Sequence, residues 1–488
     1  MLKLVCAKVE ITASRIAAAV VLATARMAML SPNVCVPRPH AARLVSARRS
    51  ILALSNGGSG RWTLAGGQLQ EMIGMVKVPT ARGSRVALFV GAMATALLTA
   101  GTGAAANPAN CRNTGTFEAW KRDARPKLAA AGISERTLRA GFDPVTFDQT
   151  IIQRDRRQSF FARTFIDFST RLVSNNRLTT ARRKLDQQAA LFRRAEREYG
   201  VPGPVIAAFW ALESDFGVGL TKKYPILNSL ATLAYDCRRP ALFEQQLIAA
   251  LKLVDNGRVP LSRMEGAWAG EIGETQFLPI HVLNFGVDGD GDGRIDLYDS
   301  DADIIMSTAN KIRGIGWRAG EPWLEEVQVP ADMPWQEADL AIQHPVAKWS
   351  QWGVRTRVGG RLDANGPPAS LLLPMGRNGP AFLGYRNFQI YPQWNESLNY
   401  AITAAYFATR LAGAPRYRDG RGPIEEFDLA ANKQVQELLV RRGYDTGGID
   451  GMLGARSRAA IKAAQIKFGL PADSYPSRAL VERLQRRP

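Results

Sequence analysis

FWALESDFGVG, residues 209–219, places one carboxylate, Glu213, at the end of an apolar run and a second, Asp215, two residues later. Upstream, behind Pro202 and Pro204, Val205 to Leu212 are apolar on every face, which predicts a wholly buried helix with Glu213 near its C-terminal end. Desolvating a charge is costly. A carboxyl group placed there is either satisfied by backbone donors or stays protonated and donates. An apolar collar of Phe209 and Trp210, followed by Gly217 and Gly219 that open the backbone, favours the proton donor. Asp215 falls roughly 200° further round the helix, so the two carboxylates point to opposite sides and are not the acid pair of a two-carboxylate glycosidase. Asp215 is expected to cap the next turn or to face solvent.

The surrounding sequence is helical in pattern. Phe117, Trp120, Ala124 and Leu128 keep three- and four-residue spacing, and Ser134 is placed to cap Glu135–Ala140. An apolar-periodic run follows from Phe160 to Val173. Arg182–Arg197 reads as one charged helix with Leu185, Ala189 and Phe192 inward. GAWAGEIGETQFLP, residues 266–279, is glycine-punctuated around Glu271, Glu274 and Gln276; it reads as backbone brought close to a ligand or as a plain helix connection. Trp323–Gln393 is irregular and strand-like, with short apolar runs at Ser370–Leu373 and Phe388–Tyr391. Trp394-Asn395-Glu396-Ser397 then opens a last helix, Leu398–Leu411. A Pro/Gly/Arg-rich linker, 414–423, separates a small unit at 424–488 from the main domain at 107–413.

Asp288-Gly-Asp290-Gly-Asp292-Gly-Arg294-Ile-Asp296 matches the loop that wraps calcium, with oxygen ligands at positions 1, 3, 5 and 9, a glycine at 6, Arg294 at 7 and a hydrophobic residue at 8. Asp299 stands where a longer Glu usually closes the site, and Asp303 is a second closing ligand. The alternative is an acidic turn without metal.

With 46% hydrophobic and 22% charged residues the chain is ordinary globular material, long enough for two or three domains. The net charge of +19 misleads, because residues 1–106 hold 12 Lys/Arg against 2 acids; the remainder carries about +9, which fits a polyanionic partner such as cell wall or nucleic acid but is matched by many soluble proteins, and no nucleic-acid partner is expected. Lys77, Arg82 and Arg85 precede an apolar run, Val86–Ala100, which is short for a membrane span, and then Ala104-Ala105-Ala106. Residues 72–106 therefore read as an export signal, a membrane anchor being the alternative, and 1–71 as an over-extended N-terminus. Export implies a periplasmic protein with no stable membrane insertion after cleavage. Cys111 and Cys237 remain in the mature chain, either paired or as free thiols; no CxxC suggests metal ligation by them.

Together, FWALESDFG, LATLAYDCRRP, GAWAGEIGETQFLP, DGDGDGRIDL, GIGWRAGEPW, GPAFLGYRNF and NESLNYAITAAYFATRLAG resemble the B-type lytic murein transglycosylases, glycoside hydrolase family 103, in order and spacing. The tail, QELLVRRGYDTGGIDGMLGARSRAAIKAAQIKFGLPADS, resembles a three-helix peptidoglycan-binding domain. The resemblance implies a mainly α fold: a lysozyme-like helical core with a small strand-containing subdomain, plus that C-terminal module. It implies cleavage of the β-1,4 bond between N-acetylmuramic acid and N-acetylglucosamine, forming 1,6-anhydromuramyl ends. Glu213 is then the single acid/base, Gln276, Trp394, Asn395 and Tyr400 contact substrate, and no cofactor enters the chemistry, calcium being structural. The partners it implies are glycan strands and proteins of wall synthesis or division. Trp394 replaces the family's commoner Tyr, Ala267 a Ser, and Glu271-Ile272 an Ala-Met; this second acid is expected to raise the pKa of Glu213. Ser457 and Asp473-Ser474 replace Thr and Asp-Gly in the tail. Two rival readings stand beside this one: a muramidase that uses water with Glu271 or Glu274 as base, and a wall-binding scaffold with an inactive cleft.

Overall fold

The computed structural model describes residues 111–156, 163–220 and 223–486. The segments read at 1–71 and 72–106, and the start of the apolar run at Phe160, lie outside them. Thr116 caps α1 (Phe117–Ala130), which buries Phe117, Ala124 and Leu128. Ser134 caps α2 (Glu135–Thr137) by accepting from the Thr137 amide, and the chain continues as a π-helical turn. After α3 (Gln149–Arg156) and α4 (Phe165–Leu172), the single charged helix expected over Arg182–Arg197 is in fact two, α5 (Asn175–Gln187) and α6 (Ala189–Tyr199). The break falls at Gln188, where the backbone leaves helical geometry (φ −105°, ψ 26°) and the side-chain amide donates to Asp301 at 2.6 Å.

The next helix, α7 (Gly203–Ser214), buries every residue from Val205 to Ala211. Packed round it or onto its neighbours are α8 (Ile226–Tyr235), α9 (Pro240–Asp255), α10 (Pro279–Phe285) and α11 (Asp301–Gly314). A two-strand pairing, β1 (Tyr224–Pro225) with β2 (Glu265–Gly266), sits among them. The strand-like region forms a separate layer: β3 (Leu324–Gln328), α12 (Val346–Gln351), β4 (Arg355–Thr356), β5 (Ser370–Leu372) and β6 (Ala381–Gly384). The sheet is antiparallel in the order β4-β3-β6-β5, with Leu371 opposite Leu383, and has its own core around Trp335, Trp349, Leu371 and Leu383. Phe388–Tyr391 is not a strand. Phe388, Ile390 and Tyr391 are all buried, a pattern no half-buried strand satisfies, and the segment runs through a 3₁₀ turn into α13 (Ile390–Trp394). Ser397 caps α14 (Leu398–Leu411), which packs against α7.

In the tail, α15 (Leu429–Arg441), α16 (Ala455–Lys467) and α17 (Arg478–Gln485) enclose Val435, Leu439, Ile461, Ala464, Leu480 and Leu484. The module is docked on the main body. Arg458 donates to the Pro374 carbonyl at 2.7 Å, Lys462 pairs with Asp339 at 2.8 Å, and Arg377 pairs with Asp473 at 3.1 Å. The linker is no free tether either, because Tyr417 is buried among Phe165, Phe382 and Tyr406 and its hydroxyl lies 2.7 Å from that of Ser169. Ser474 takes the left-handed conformation (φ 61) at the position where the family motif has glycine.

Cys111 and Cys237 form a disulfide, with Cα atoms 5.8 Å apart, that ties the first described residue to the turn between α8 and α9. Among the described residues no helix is long and apolar enough to cross a membrane. Arg458→Ala strips the Leu373 and Pro374 carbonyls of their donor, at a cost of about 1–3 kcal/mol if they stay dry. The expected outcome is faster protease cutting in residues 414–427 and a lower Tm; cutting at the wild-type rate would contradict the docked arrangement.

Candidate active site

Glu213 is set by the way α7 ends. Asp215, Phe216 and Gly217 follow it with φ of 54°, 57° and 85°, three consecutive left-handed residues. For the two that carry a Cβ this costs about 1–3 kcal/mol each. At Gly217 an added Cβ would lie 2.4 Å from the Glu274 carboxylate, which would have to give way, and the positive φ disfavours any side chain there. The turn takes Asp215 off the helix. It neither caps the next turn nor faces open solvent; its carboxylate pairs with Arg177 at 3.3 Å. Glu213 is left facing the other way.

Two donors meet the Glu213 carboxyl group on the same oxygen. The indole Nε1–H of Trp394, at the end of α13, donates to Oε1 at 2.8 Å, and the Tyr400 hydroxyl, from the first turn of α14, donates to Oε1 as well. Among the described residues no donor reaches Oε2. Burial pushes the Glu213 pKa up, while the Tyr400 and Trp394 hydrogen bonds and the Lys311 charge pull against that rise. The acid is thus biased toward its neutral form yet supplied with groups that welcome the anion. Trp394 stacks on Phe209 with ring centroids 4.2 Å apart and meets the edge of Phe277 at 5.6 Å. Its stacking partner is therefore protein, and its hydrogen bond goes to the acid.

The other residues expected in the site divide. Gln276 sits at φ 50, a strained backbone for a non-glycine residue, with its amide bonded to the Gly273 carbonyl at 2.8 Å. Asn395 accepts from the Ser397 amide at 3.0 Å and makes no bond to Glu213. Glu271 does not drive the Glu213 pKa as expected. Burial does that, and the coupling is felt at Glu271, whose own pKa burial raises first and Glu213 raises further. Glu274 accepts from Trp210 Nε1 at 2.6 Å. The glycines of 266–279 answer to protein packing: a Cβ on Gly270 would strike Leu230 and one on Gly273 would strike Leu297.

In the acidic loop, carboxylate oxygens of Asp288, Asp290 and Asp303 lie within 4.8 Å of one another, and Asp303 is buried. Asp296 and Asp299 are not with them; both pair with Arg263. Asp292 is exposed and accepts the Arg294 amide, so neither it nor Arg294 joins the cluster by a side chain. Asp299 is held by Arg263, and Asp303, on the first turn of α11, closes the group in its place. Three converging carboxylates, one buried, fit a hard cation such as calcium.

Sequence reasoning missed Lys311. It is 3% exposed, on α11, and its Nζ lies 3.6 Å from the centroid of the Trp394 ring. The signal was there, since Ile304, Thr308, Lys311 and Ile315 share one helical face that is otherwise destined for the core.

A transglycosylase SLT domain matches residues 116–409, and a peptidoglycan binding domain matches 430–484. SltB3 from Pseudomonas aeruginosa, solved in complex with NAG-anhNAM-pentapeptide, shares 37% identity at a TM-score of 0.70, covering 76% of this chain and all (100%) of that one. Membrane-bound lytic murein transglycosylase B of Escherichia coli (strain K12) is 29% identical over 213 residues, 43% of this chain; the match spans 56% of that relative's length. The Escherichia coli lytic transglycosylase SLT35, solved in complex with calcium, shares the fold at 23% identity and a TM-score of 0.52, over 60% of this chain and 92% of that one. The chain belongs to the transglycosylase SLT domain family, as a lytic murein transglycosylase of the B type with a C-terminal peptidoglycan-binding domain.

Proposed function

We propose that this protein cleaves the β-1,4 bond between N-acetylmuramic acid and N-acetylglucosamine without water, leaving a 1,6-anhydromuramyl end. The observation that carries the reading is Glu213 itself: one acid with a raised pKa, doubly donated to at Oε1, with Asp215 turned away to Arg177. Oε2 gives its proton to the bridging oxygen as the C1–O bond breaks. The muramyl 6-hydroxyl oxygen then bonds to C1, and its proton goes to the Glu213 carboxylate, which restores the acid. Substrate supplies the nucleophile, so no second protein carboxylate is needed. Tyr400 and Trp394 donate more strongly to the carboxylate than to the acid, so their bonds tighten when charge develops. In this reading Gln276 and Asn395 contact the substrate.

The hydrolytic alternative needs an ionised base across the cleft. Glu274 is engaged by Trp210, and burial favours the neutral form of Glu271. The enzyme reading further comprises export to the periplasm, a catalytic domain at 107–413, and a module at 424–488 that holds the enzyme on the wall. In it, Asp288, Asp290 and Asp303 hold calcium, which braces the start of α11 and stays out of the chemistry.

Glu213→Gln should lower release of anhydromuropeptides from sacculi by roughly a hundredfold or more, with the fold intact by circular dichroism. Reducing ends in the wild-type products would instead establish a hydrolase. Tyr400→Phe removes a donor that favours the Glu213 carboxylate, so the Glu213 pKa rises. Activity needs Glu213 protonated and is lost as pH climbs through that pKa. The descending limb of the pH–rate profile is therefore expected at higher pH in the variant, with a maximal rate about tenfold lower for the lost stabilisation of the anion. Calcium should raise Tm by mass action and chelator should lower it, and Asp288→Asn with Asp290→Asn should remove the response; a wild-type Tm indifferent to both reagents counts against the site.

A further inference from the structure

Lys311 is a buried cation that the proposed chemistry leaves unused. Among the described residues its ammonium forms no ion pair or hydrogen bond. Its Nζ is instead cupped by two rings, 3.6 Å from the Trp394 centroid and 4.5 Å from that of Phe277. Phe209 already covers one face of the Trp394 indole at 4.2 Å with an interplanar angle of 25°. The ammonium therefore occupies the other face, and Phe277 bounds the edge at 67°. An indole clamped on both faces has its plane fixed. Because Nε1–H lies in that plane, the clamp also fixes the aim of the bond to Glu213 Oε1.

We propose that Lys311 is a positioning residue for Glu213: it clamps Trp394 so that the indole donor meets the acid, and its charge stabilises the carboxylate that exists between proton donation and proton recovery. This rests on the reading of Glu213 as acid and base. The physical argument is differential. Before the reaction Glu213 is neutral and gains little from a nearby ammonium. After the proton has left, the two opposite charges share a low-dielectric pocket, where their attraction is strong.

The groups around Lys311 fit this assignment. Glu213 on α7 raises the Lys311 pKa, against burial that lowers it to about 7. His281 on α10 has its Nδ1 buried and unpartnered, and desolvation together with the Lys311 charge holds its pKa down at about 4, so it is neutral and does not compete. On α6, Arg194 and Glu198 pair with each other at 2.9 Å and Arg194 also bonds the Gly289 carbonyl, while Lys184 of α5 pairs with Asp301 at the start of α11 at 3.2 Å. Tyr400 on α14 is directed to Glu213.

The test has two arms. Lys311→Met keeps the bulk and removes the charge. It is expected to lower kcat on peptidoglycan fragments by about tenfold or more with KM little changed, and to move the descending limb of the pH–rate profile to higher pH. Lys311→Arg is expected to hold that limb near the wild-type position. A folded Lys311→Met enzyme with the wild-type limb and kcat overturns the proposal. The second arm leaves Lys311 in place and needs no activity. The ε-methylene carbon of Lys311 is titrated by NMR in the full-length protein, wild type against Glu213→Gln. Losing the carboxylate is expected to shift the Lys311 midpoint to lower pH; an unchanged midpoint overturns the coupling. If Glu213→Gln stays active while the midpoint moves, it is the catalytic reading of Glu213 that fails, and the electrostatic contact stands.

Discussion

Everything about this site depends on crowding one half-buried carboxyl group with apolar packing without leaving it alone. α7 has no polar face from Val205 to Ala211, so the helix that delivers Glu213 is driven into the core by its whole circumference. Fully burying a side chain such as Phe209 is worth about 1.5–3 kcal/mol, and several such residues surround the acid. That burial is what opposes ionisation. The counterweights, Trp394, Tyr400 and Lys311, come from three other helices, α13, α14 and α11, so the protonation balance of the acid is a property of the packed core and not of any local segment.

The helix carrying Glu213 was legible because two simple signals agreed, an all-round apolar run and a proline start. The Leu398–Leu411 helix was legible to the residue, since Ser397 is a strong cap and the apolar spacing beyond it is regular. The break at Gln188 was not, because no proline, glycine or capping residue marks it, and the partner its side chain finds, Asp301, lies 113 residues away. The same holds for Phe388–Tyr391, where apolar residues in a row fit either a strand or a buried helix until their neighbours decide.

The site was half legible. Residue types named Glu213, and the resemblance to a family named Trp394 and Tyr400, but neither indicated that both donors share one oxygen. The acidic loop shows the limit of a linear motif. Its spacing nominated Asp296 and Asp299, whereas the fold gives both to Arg263 and recruits Asp303 from the following helix. Competition for a carboxylate by a distant arginine has no signature in the loop's own sequence.

The left-handed run at Asp215, Phe216 and Gly217 also bears on how this enzyme tolerates being made more stable. A glycine at 216 would relieve the backbone but would widen the unfolded ensemble and forfeit the ring that packs edge-on to Trp210 at 5.2 Å. Asparagine at 215 suits the left-handed conformation equally well but gives up the charge that Arg177 answers. Each repair of the strain removes a contact that turns the chain away from Glu213. The usual remedies for a marginally stable domain therefore have little room here, and thermostabilising changes belong on surfaces far from the end of α7.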